Sequence, residues 1–322
     1  MTLLPTDFTN LRRVLLIASS HVGTNLFCTP AIRLLRRHLP QARVDLLATS
    51  WRGLSVFAQS PDVDSACRVY FRKTVRWIAR NYDLVIGLHR TTAQRLAAGL
   101  HVPVVTVGES SPHKHRAHSA LEFVAALLGC QAAEEERRYF LYPQPAHFAR
   151  VRGYLRGTEG RKLVGVHLGT GHTAVHGWRF WSATRAKDRR IWPLENYLAM
   201  VLQLRETDPQ LRFVLTGSRN ERFLGKTFLR QVPEAINLIG RTSLLDLAAL
   251  MPSLSVFITQ DTGALHVACA MDIPLIGLFG PSQPEETGPY PTRAHHVVMR
   301  QQDVRDIAPA EVCAVVMKTV CC

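Results

Sequence analysis

The residues best suited to chemistry in this sequence lie between Thr259 and His266. A β-branched and aromatic run over residues 254–259 ends in an acidic, glycine-containing turn, continues as a short helix of small residues, and leads to a second apolar run over 273–281. The order strand, loop, helix, strand is typical of a parallel sheet, where ligands bind at the carboxyl ends of strands. Asp261 adds a carboxylate beside the anion-binding amides of a helix start, and His266 follows about one turn later. The combination suits a ligand that carries both phosphates and hydroxyls.

Two further strand ends in the C-terminal half carry glycines, which let a backbone approach a ligand closely. They are Gly169-Thr170-Gly171 and Gly217, the latter followed by Glu221. Three such ends in one domain, with a helix start and a cation, favour a nucleotide diphosphate site. For Glu221, a solvated glutamate favoured by the helix dipole is the alternative. Neither G-x-x-x-x-G-K-[ST] nor G-x-G-x-x-G follows a predicted strand, which disfavours an ATPase and a dinucleotide oxidoreductase.

Alternating strands and helices must position these loops. In the N-terminal half the patterns predict strands over 12–18, 43–48, 69–71, 83–88 and 102–107, a loop over 19–25, and helices over 26–39, around residue 77, 92–100 and 119–128. The C-terminal half repeats the plan, with strands over 162–168, 211–216 and 254–259 and helices over 194–205, 220–232, 244–251 and 309–320. This alternation predicts a doubly wound α/β fold with parallel sheets.

A length of 322 residues exceeds the usual size of one domain. The segment over residues 131–160 has no strand pattern, and it contains three consecutive glutamates and two prolines. We therefore predict one domain over residues 1–145 and a second over 146–322, whose last helix has the option of packing back on the first domain.

The composition is that of an ordinary globular protein, with 47% hydrophobic and 20% charged residues. No apolar stretch reaches the roughly 18 residues that span a bilayer, and the first apolar run is too short for a signal segment. The seven scattered cysteines favour reduced thiols, so we expect a cytoplasmic protein.

The net charge is +14, of which residues 1–150 contribute +9 and residues 151–322 contribute +5. A basic surface favours a polyanionic substrate or an anionic membrane face. Nucleic acid is disfavoured, because the charges are dispersed among amphipathic helices and no nucleic-acid-binding motif is present.

A set of motifs carries a resemblance to a known family. The set comprises Asp261-Thr262-Gly263 with His266, Gly280-Pro281, Gly288-Pro289, Gly240-Arg241-Thr242-Ser243-Leu244, Arg190-Ile191-Trp192-Pro193 and, near the start, Thr29-Pro30-Ala31-Ile32. With these motifs the chain resembles, over nearly its whole length, the bacterial lipopolysaccharide heptosyltransferases of glycosyltransferase family 9. The resemblance implies the GT-B architecture, in which two Rossmann-like domains face each other across a cleft, the N-terminal one binding the acceptor and the C-terminal one the nucleotide sugar.

The resemblance also implies the reaction. The donor is an ADP-linked heptose, and the acceptor is an anionic molecule of the lipopolysaccharide core type at the inner membrane face. The anomeric centre inverts, and neither a catalytic metal nor a cofactor is needed.

Carried over to this sequence, the resemblance assigns the sugar hydroxyls to Asp261. It assigns the diphosphate to the amides of Thr262 and Gly263 with His266. Arg190 takes the position of a phosphate-binding lysine, where it keeps the charge and adds a bidentate fork, although the two residues are not equivalent.

Three more donor positions follow from the resemblance. Glu221 matches an acidic residue that binds the adenosine ribose. Thr170, beside Gly171, matches a small residue that approaches the phosphates, and Gly217 ends the neighbouring strand.

The first N-terminal loop departs from the family, which has Gly-Asp there with the aspartate as proposed base. Here Gly23 is followed by Thr24, and threonine cannot accept a proton at neutral pH. Three explanations stay open: His21 is the base, another carboxylate reaches in, or the protein binds a sugar nucleotide with weak or no transfer. A GT-B enzyme of the epimerase type, acting on a UDP-sugar or another nucleotide sugar, is a further alternative.

Four residues are predicted to bind the acceptor. Asn25 lies in the same loop as His21, and His89 follows the strand over 83–88 at the same sheet edge. Lys114 and Arg116 belong to a cationic loop, for which a merely solvated loop is the alternative.

Two other patterns invite interpretation. The insertion over residues 171–190, rich in glycine, aromatic and basic residues, is either a mobile cationic lid or an exposed loop. Asp62-Val63-Asp64 imitates a D-x-D metal motif, but its position after Ser60-Pro61 predicts a turn.

Overall fold

The computed structural model describes residues 11–109, 113–171, 173 and 188–321. The chain divides into two compact units, Met1–Tyr142 and Pro143–Cys322, each with its own parallel sheet. The predicted α/β fold class is therefore confirmed. The second unit begins at Pro143, whereas the sequence placed the boundary after residue 145. Most of the insertion predicted at 171–190 lies outside the described residues, so its interpretation as a lid stays a prediction.

Five parallel strands form the sheet of the first unit. They are β1 (Arg13–Ile17), β2 (Arg43–Ala48), β3 (Ser65–Arg68), β4 (Leu84–Gly87) and β5 (Val104–Thr106). Their order across the sheet is β3-β2-β1-β4-β5, so the chain order reverses between β1 and β4. Ligands bind at such a reversal, beyond the carboxyl ends of the two strands.

Five helices connect these strands. They are α1 (Val22–His38), α2 (Trp51–Leu54), α3 (Arg72–Ala79), α4 (Arg90–Ala97) and α5 (Arg116–Leu128). The prediction of a loop over 19–25 is wrong beyond residue 21, because α1 already begins at Val22. Pro30 thus lies inside the helix, where it cannot donate to the carbonyl of Leu26. The hydroxyl of Thr29 donates to that oxygen instead, at 2.8 Å.

The strand predicted over 69–71 is also misplaced. Strand β3 covers Ser65–Arg68 and pairs with β2, whereas Tyr70 and Phe71 follow it as exposed residues.

Six parallel strands form the sheet of the second unit. They are β6 (Leu163–His167), β7 (Arg212–Thr216), β8 (Ile236–Asn237), β9 (Val256–Gln260), β10 (Leu275–Phe279) and β11 (His296–Arg300). The order is β11-β10-β9-β6-β7-β8, so the reversal lies between β6 and β9. The loops that follow these two strands contain Thr170 and Asp261.

Seven α-helices lie in the described part of the second unit. They are α6 (Pro145–Tyr154), α7 (Leu194–Thr207), α8 (Arg222–Phe228), α9 (Leu244–Leu250), α10 (Gly263–Ala270), α11 (Pro284–Thr287) and α12 (Pro309–Cys321). Buried residues of α12 join those of α7 in one hydrophobic core, and Cys313 Sγ donates to the carbonyl of Met200 at 3.3 Å. The last helix therefore belongs to the core of the second unit. Among the described residues, none of the helices is long and apolar enough to cross a bilayer.

Candidate active site

The loops after β6 and β9 leave the two strands at which the order of the second sheet reverses. The sequence-predicted donor residues Thr170, Gly171, Asp261, Thr262 and Gly263 all lie in these loops or at the first residue of α10. Because the two strands are hydrogen-bonded neighbours, their loops share one edge of the sheet. The topology thus brings together two segments that are about ninety residues apart in the chain.

Helix α10 begins with its cap supplied by Thr262. The Thr262 hydroxyl accepts from the amide of Ala264 at 3.2 Å and lies 3.1 Å from the hydroxyl of Thr259. Asp261 is partly exposed just before the cap, whereas His266 is buried one turn into the helix, with 3% of its surface exposed. The positive end of the helix dipole therefore points at the loop that carries Asp261, and this suits a phosphate group.

Thr170 is buried in a tight turn rather than displayed on the surface. Its amide donates to Thr173 Oγ1 at 2.9 Å, and its own Oγ1 accepts from the amide of Thr173 at 3.1 Å. Gly171 beside it is exposed. The hydroxyl of Thr170 thus helps to hold the turn, and among residues 168–171 the backbone of Gly171 is the accessible part.

Glu221 is buried, with 3% of its surface exposed, so the alternative of a solvated glutamate is wrong. Its Oε2 accepts from the amide of Ser218 at 2.5 Å. A Cβ on Gly169 would lie 1.9 Å from its Oε1, and one on Gly217 would lie 3.1 Å from its Oε2. Residue 169 must therefore be glycine for the carboxylate to lie against the end of β6, whereas a side chain at residue 217 would crowd it only slightly.

Arg190 is exposed in the segment that precedes α7. Two residues later, the amide of Trp192 donates to Gln260 Oε1 at 2.6 Å, and Gln260 directly precedes Asp261. The neighbouring Arg189 carbonyl accepts from Val304 at 3.0 Å. The segment of Arg190 is therefore tied by hydrogen bonds to the carboxyl end of β9.

Three residues without a predicted role connect the carboxyl ends of β6 and β9: Trp192, Tyr197 and Gln260. The indole of Trp192 stacks edge-on against Tyr197, with ring centroids 4.5 Å apart, and its Nε1 donates to the carbonyl of Ile307. The Tyr197 hydroxyl donates to the carbonyl of His167, the last residue of β6, at 3.1 Å. The Arg190-Ile191-Trp192-Pro193 motif was the available signal for Trp192, whereas Tyr197 and Gln260 lay in unremarkable helix and strand patterns.

In the first unit, the loop after β1 is organised by Asn25, which has no exposed surface. Its Oδ1 accepts from the amide of Ser19 at 2.8 Å, and its Nδ2 donates to the carbonyls of Ser19 and Gly53 at 3.1 and 3.0 Å. Asn25 was predicted to bind the acceptor. Its buried side chain holds the loop instead. A Cβ on Gly53 would lie 2.6 Å from the Ser19 carbonyl oxygen. Only a glycine at this position therefore lets the two backbone segments lie so close together. No local sequence pattern indicated a role for Gly53, because its partners are distant in the chain.

His21 directly precedes α1 and is exposed. Its Nδ1 lies 3.0 Å from Ser20 Oγ and 3.5 Å from Ser19 Oγ. The partly exposed Thr24 lies in the first turn of α1, and its carbonyl accepts from Cys28 Sγ. The segment after β1 therefore presents the imidazole of His21 and, one turn later, the hydroxyl-bearing side chain of Thr24.

His89 follows β4 and caps α4. Its Nδ1 accepts from the amide of Thr92 at 3.3 Å and lies 2.8 Å from Thr92 Oγ1, so the proton of the neutral ring is on Nε2. Burial lowers the pKa of His89, and the charges of His21 and Arg116 lower it further. The structure thus brings three predicted residues, His21, His89 and Arg116, within electrostatic range at the β1–β4 reversal.

Lys114, the remaining basic residue of the predicted set, is less available to an acceptor. Lys114 forms an ion pair with Glu122, which also contacts His118 at 3.0 Å. The hydrogen bond from Lys114, with the charges of Lys114 and His118, holds the pKa of Glu122 below its usual value. Lys114, which precedes α5, is therefore held against that helix by Glu122, whereas Arg116 is exposed at the start of the helix.

The pair Asp62 and Asp64 forms a turn, as predicted. Asp62 is buried, where it pairs with Arg33 at 3.0 Å and accepts from the Tyr142 hydroxyl at 2.5 Å. Asp64 pairs with Arg36 at 2.6 Å. Both carboxylates thus stabilise the first unit through ion pairs.

Comparison with known proteins identifies the class. A family model described as glycosyltransferase family 9 (heptosyltransferase) matches residues 178–310. The chain is 30% identical over 303 residues to lipooligosaccharide heptosyltransferase 2 of Haemophilus influenzae, covering 87% of both chains. It is 23% identical over 311 residues to lipopolysaccharide heptosyltransferase 2 of Salmonella typhimurium, covering 88% of this chain and 86% of that protein.

Solved structures show the same fold. A glycosyl transferase family 9 protein from Veillonella parvula matches with a TM-score of 0.78 at 18% identity, over 99% of both chains. The Escherichia coli ADP-heptose lps heptosyltransferase II matches with a TM-score of 0.74 at 20% identity, over 96% of this chain and 98% of that one. The protein is thus a glycosyltransferase with the GT-B fold. It belongs to glycosyltransferase family 9, the heptosyltransferase family.

Proposed function

We propose that the protein transfers a heptose, or a related sugar, from an ADP-sugar to an anionic acceptor of the lipopolysaccharide core type. Membership of the heptosyltransferase family and the names of the relatives support this choice of sugar and acceptor. The observation that carries the donor assignment is the hydrogen bond from Trp192 to Gln260. It ties the cation of Arg190 to the loop of the carboxylate of Asp261, and a sugar diphosphate needs both charges in one site.

In the proposed donor complex, Asp261 accepts hydrogen bonds from the sugar hydroxyls. The amides of Thr262 and Gly263, at the start of α10, hold the diphosphate together with His266 and Arg190. Negative charge grows on the leaving diphosphate in the transition state. A cation and preorganised amides stabilise that charge, so the proposed transfer requires no metal and no cofactor.

The nucleoside end of the donor is proposed to lie at the strand ends beside β7. The carboxylate of Glu221 is held there by the amide of Ser218, close to Gly169 and Gly217. These glycines let the carboxylate lie against the backbone of both strand ends, and the exposed Gly171 lies close to Gly169 in the chain. A ribose hydroxyl is a suitable donor to Glu221.

The proposed catalytic base is His21. The acceptor hydroxyl gives its proton to the imidazole while its oxygen bonds to the anomeric carbon. The bond between that carbon and the phosphate oxygen breaks on the opposite face, so the configuration inverts. Thr24, at the family's base position, takes no part in the proton transfer. The guanidinium of Arg116, which lies within electrostatic range of the neutral His89, favours an anionic acceptor beside His21.

The decisive experiment separates binding from transfer. Calorimetry with ADP-heptose, ADP and UDP-N-acetylglucosamine measures nucleotide selectivity, and a transfer assay with a heptose-deficient lipopolysaccharide acceptor measures turnover. We expect ADP-sugars to bind and to be consumed. Asp261→Ala should weaken ADP-heptose binding by about tenfold to 100-fold through the loss of charge-assisted hydrogen bonds, with a smaller effect on ADP.

Asp208→Ala, at a partly exposed residue after α7 in the same unit, is the matched control and should leave both quantities unchanged. Intact affinity and turnover in Asp261→Ala would show that the donor binds elsewhere. Selectivity for the UDP-sugar would instead favour a reaction of the epimerase type.

A second candidate function rests on Thr24. Without an aspartate at this position, a sugar-nucleotide-binding protein with weak or no transfer is the alternative. It predicts tight binding of ADP-heptose and no product even at high acceptor concentration, an outcome that the same two assays distinguish.

We further propose that the protein works in the cytoplasm, at the inner face of the bacterial inner membrane. An aromatic-basic surface in the first unit supports this location; it consists of Trp51, Arg68, Tyr70, Phe71 and Trp77. The four aromatic side chains are 55–72% exposed, and the Arg68 guanidinium lies over the rings of Trp51 and Tyr70 at 4.5 and 4.1 Å. Amphipathic aromatic side chains next to cations suit the interface of an anionic bilayer.

Four further basic residues follow this surface along α3: Arg72, Lys73, Arg76 and Arg80. Each cation near an anionic bilayer contributes about 1 kcal/mol of attraction. Sedimentation with phosphatidylglycerol vesicles should therefore recover the protein, whereas phosphatidylcholine vesicles or high salt should not. The double variant Phe71→Ser, Trp77→Ser should stay in the supernatant, and Val298→Ser, at an exposed apolar residue of the second unit, is the control.

A further inference from the structure

We infer that Asp272, His295 and His296 form a binding site for a transition-metal ion of the Zn²⁺ type. Asp272 lies between α10 and β10, and the two histidines lie at the start of β11. His296 is paired in register with Leu275, the first residue of β10, and the Leu275 amide donates to the carbonyl of His295 at 3.1 Å. The pairing of β10 with β11 is therefore what brings the three side chains together.

This metal site lies at the amino ends of β10 and β11. The loops of the proposed donor site leave the carboxyl ends of the strands in the same parallel sheet. The metal site is accordingly separate from the proposed donor site, and metal binding there does not depend on the proposed transfer reaction.

The donor atoms have the spacing that a metal ion requires. One ligand atom from each of the three residues lies within 4.8 Å of the other two, and His295 Nε2 is 3.2 Å from Asp272 Oδ1. Zinc binds nitrogen and oxygen at about 2.0–2.2 Å, which puts ligand atoms of a tetrahedral site about 3.3 Å apart. The distance between His295 Nε2 and Asp272 Oδ1 already meets this spacing. A small movement of the side chains would bring a ring nitrogen of His296 to a similar distance.

The burial of His296 also indicates a metal site. It is 7% exposed, and within the described part of the chain neither of its ring nitrogens has a hydrogen-bond partner of acceptable geometry. Buried polar groups normally have partners, so this imidazole has unused bonding capacity. The His295 ring lies edge-on to it at a centroid distance of 4.6 Å.

The charge state of the ring suits the same ligand. Burial, followed by the charge of His295, lowers the pKa of His296 to about 4, against the opposing effects of Asp272 and the backbone of Pro291. A neutral imidazole is the form that binds metals. Arg293 lies 3.5 Å from Asp272 Oδ1 and competes for the carboxylate, so metal binding must displace this exposed guanidinium.

The ligand chemistry selects the class of metal. Two imidazoles and one carboxylate suit Zn²⁺ and its neighbours, with a water molecule as fourth ligand, whereas Mg²⁺ prefers a site made of oxygen atoms. A bound ion would connect the turn before β10 to the start of β11. The site is therefore a structural one that stabilises this edge of the sheet.

The test is equilibrium dialysis of the full-length protein against ZnCl₂ or MgCl₂, with bound metal counted by mass spectrometry. We expect His295→Ala and Asp272→Asn to lose one equivalent of Zn²⁺ per chain, or to bind it more than about 100-fold more weakly, and no variant to retain Mg²⁺. Asparagine suits the positive φ of 51° at Asp272, so this variant keeps the backbone. The exposed His101→Ala is the matched control.

Two further readouts distinguish this site from binding at cysteine. X-ray absorption should show only nitrogen and oxygen ligands for the equivalent that the variants lose, without the sulfur distance of about 2.3 Å. At Zn²⁺ concentrations tenfold above the dissociation constant, the melting temperature of the parent should rise by about 3–6 °C, and that of the two variants should not. Equal Zn²⁺ stoichiometry in parent and variants, or a parent that binds none, would overturn the inference.

Discussion

The loops after β9 and after β1 occupy equivalent places in their sheets, because each leaves a strand at the reversal of strand order and enters a helix. They are built differently. The hydroxyl of Thr262 caps α10, whereas His21, which precedes α1, makes no capping bond with its side chain. In the first unit the buried amide of Asn25 holds the loop instead. The second unit thus prepares a helix terminus for an anion, and the first displays an imidazole.

Close backbone approach occurs in both units but to different partners, and in the second unit it lies in the loop after β6. Gly169 in the second unit lies against the carboxylate of Glu221, and Gly53 in the first lies against the carbonyl of Ser19 and the amide of Asn25. The contact at Gly169 positions the Glu221 carboxylate, which is proposed to bind the donor. The other only fixes the loop that carries His21.

The strongest test of this contrast replaces His21 by Asn, which removes the proposed base and keeps a polar side chain. Loss of a general base lowers turnover by about 10²–10⁴-fold. Binding of ADP-heptose, assigned to the other unit, should stay within about twofold. Steady-state kinetics and calorimetry measure the two quantities.

His101→Asn, at an exposed histidine of the same unit, should leave both quantities unchanged. Unaltered turnover in His21→Asn would remove the base from the β1 loop and direct the search to a carboxylate.

Asn25→Ala should have the next largest effect, on stability. The variant leaves the Ser19 amide and the carbonyls of Ser19 and Gly53 without their present partner, in a buried place. Such a change costs about 2–4 kcal/mol, because buried polar groups lose their hydrogen bonds. Urea unfolding gives the value.

Asn81→Ala, at an exposed asparagine, should cost less than about 0.5 kcal/mol. In Asn25→Ala, turnover should also fall while ADP affinity is kept. A loss of ADP affinity comparable to the loss of turnover would contradict the separation of the two loops.

Local patterns in the sequence predicted most of this architecture. Apolar runs located β1, β2, β4, β6, β7, β9 and β10, and the glycine and acidic turns located the strand ends of the second unit. Failures occurred where local signals opposed tertiary structure. Helix α1 starts at Val22 although neither Gly23 nor Pro30 favours a helix, and β3 ends before the exposed Tyr70.

Local sequence patterns could not predict the hydrogen bonds that hold each candidate site together. The bond from Trp192 to Gln260 spans 68 positions, and that from Asn25 to Gly53 spans 28. Each depends on strands that become neighbours only in the folded sheet. The residue types at the proposed donor site were therefore predictable from sequence, whereas the groups that hold them in place were not.

Thr262→Ala tests the cap at the start of α10. Loss of the hydroxyl that accepts from Ala264 should cost about 1 kcal/mol, and Thr262→Ser should restore most of it. Thr24→Ala, in the first turn of α1, is the matched control and should cost less than about 0.5 kcal/mol with turnover kept. A larger loss of turnover in Thr24→Ala than in Thr262→Ala would reverse the proposed roles of the two helix starts.

The smallest expected effect concerns His89, which caps α4 in the first unit. Burial, and then the charges of His21 and Arg116, depress its pKa below the ordinary value of 6.5. The unfolded chain therefore binds the proton more readily than the folded one, so the stability contribution is complete above pH 6.5 and is lost as the pH falls towards the folded pKa. His89→Asn keeps an acceptor for the Thr92 amide but cannot titrate. Urea midpoints at pH 7.5 and 5.5 should thus fall less in His89→Asn than in the parent or in His101→Asn, and an equal fall in all three proteins would exclude His89 as a source of the pH dependence.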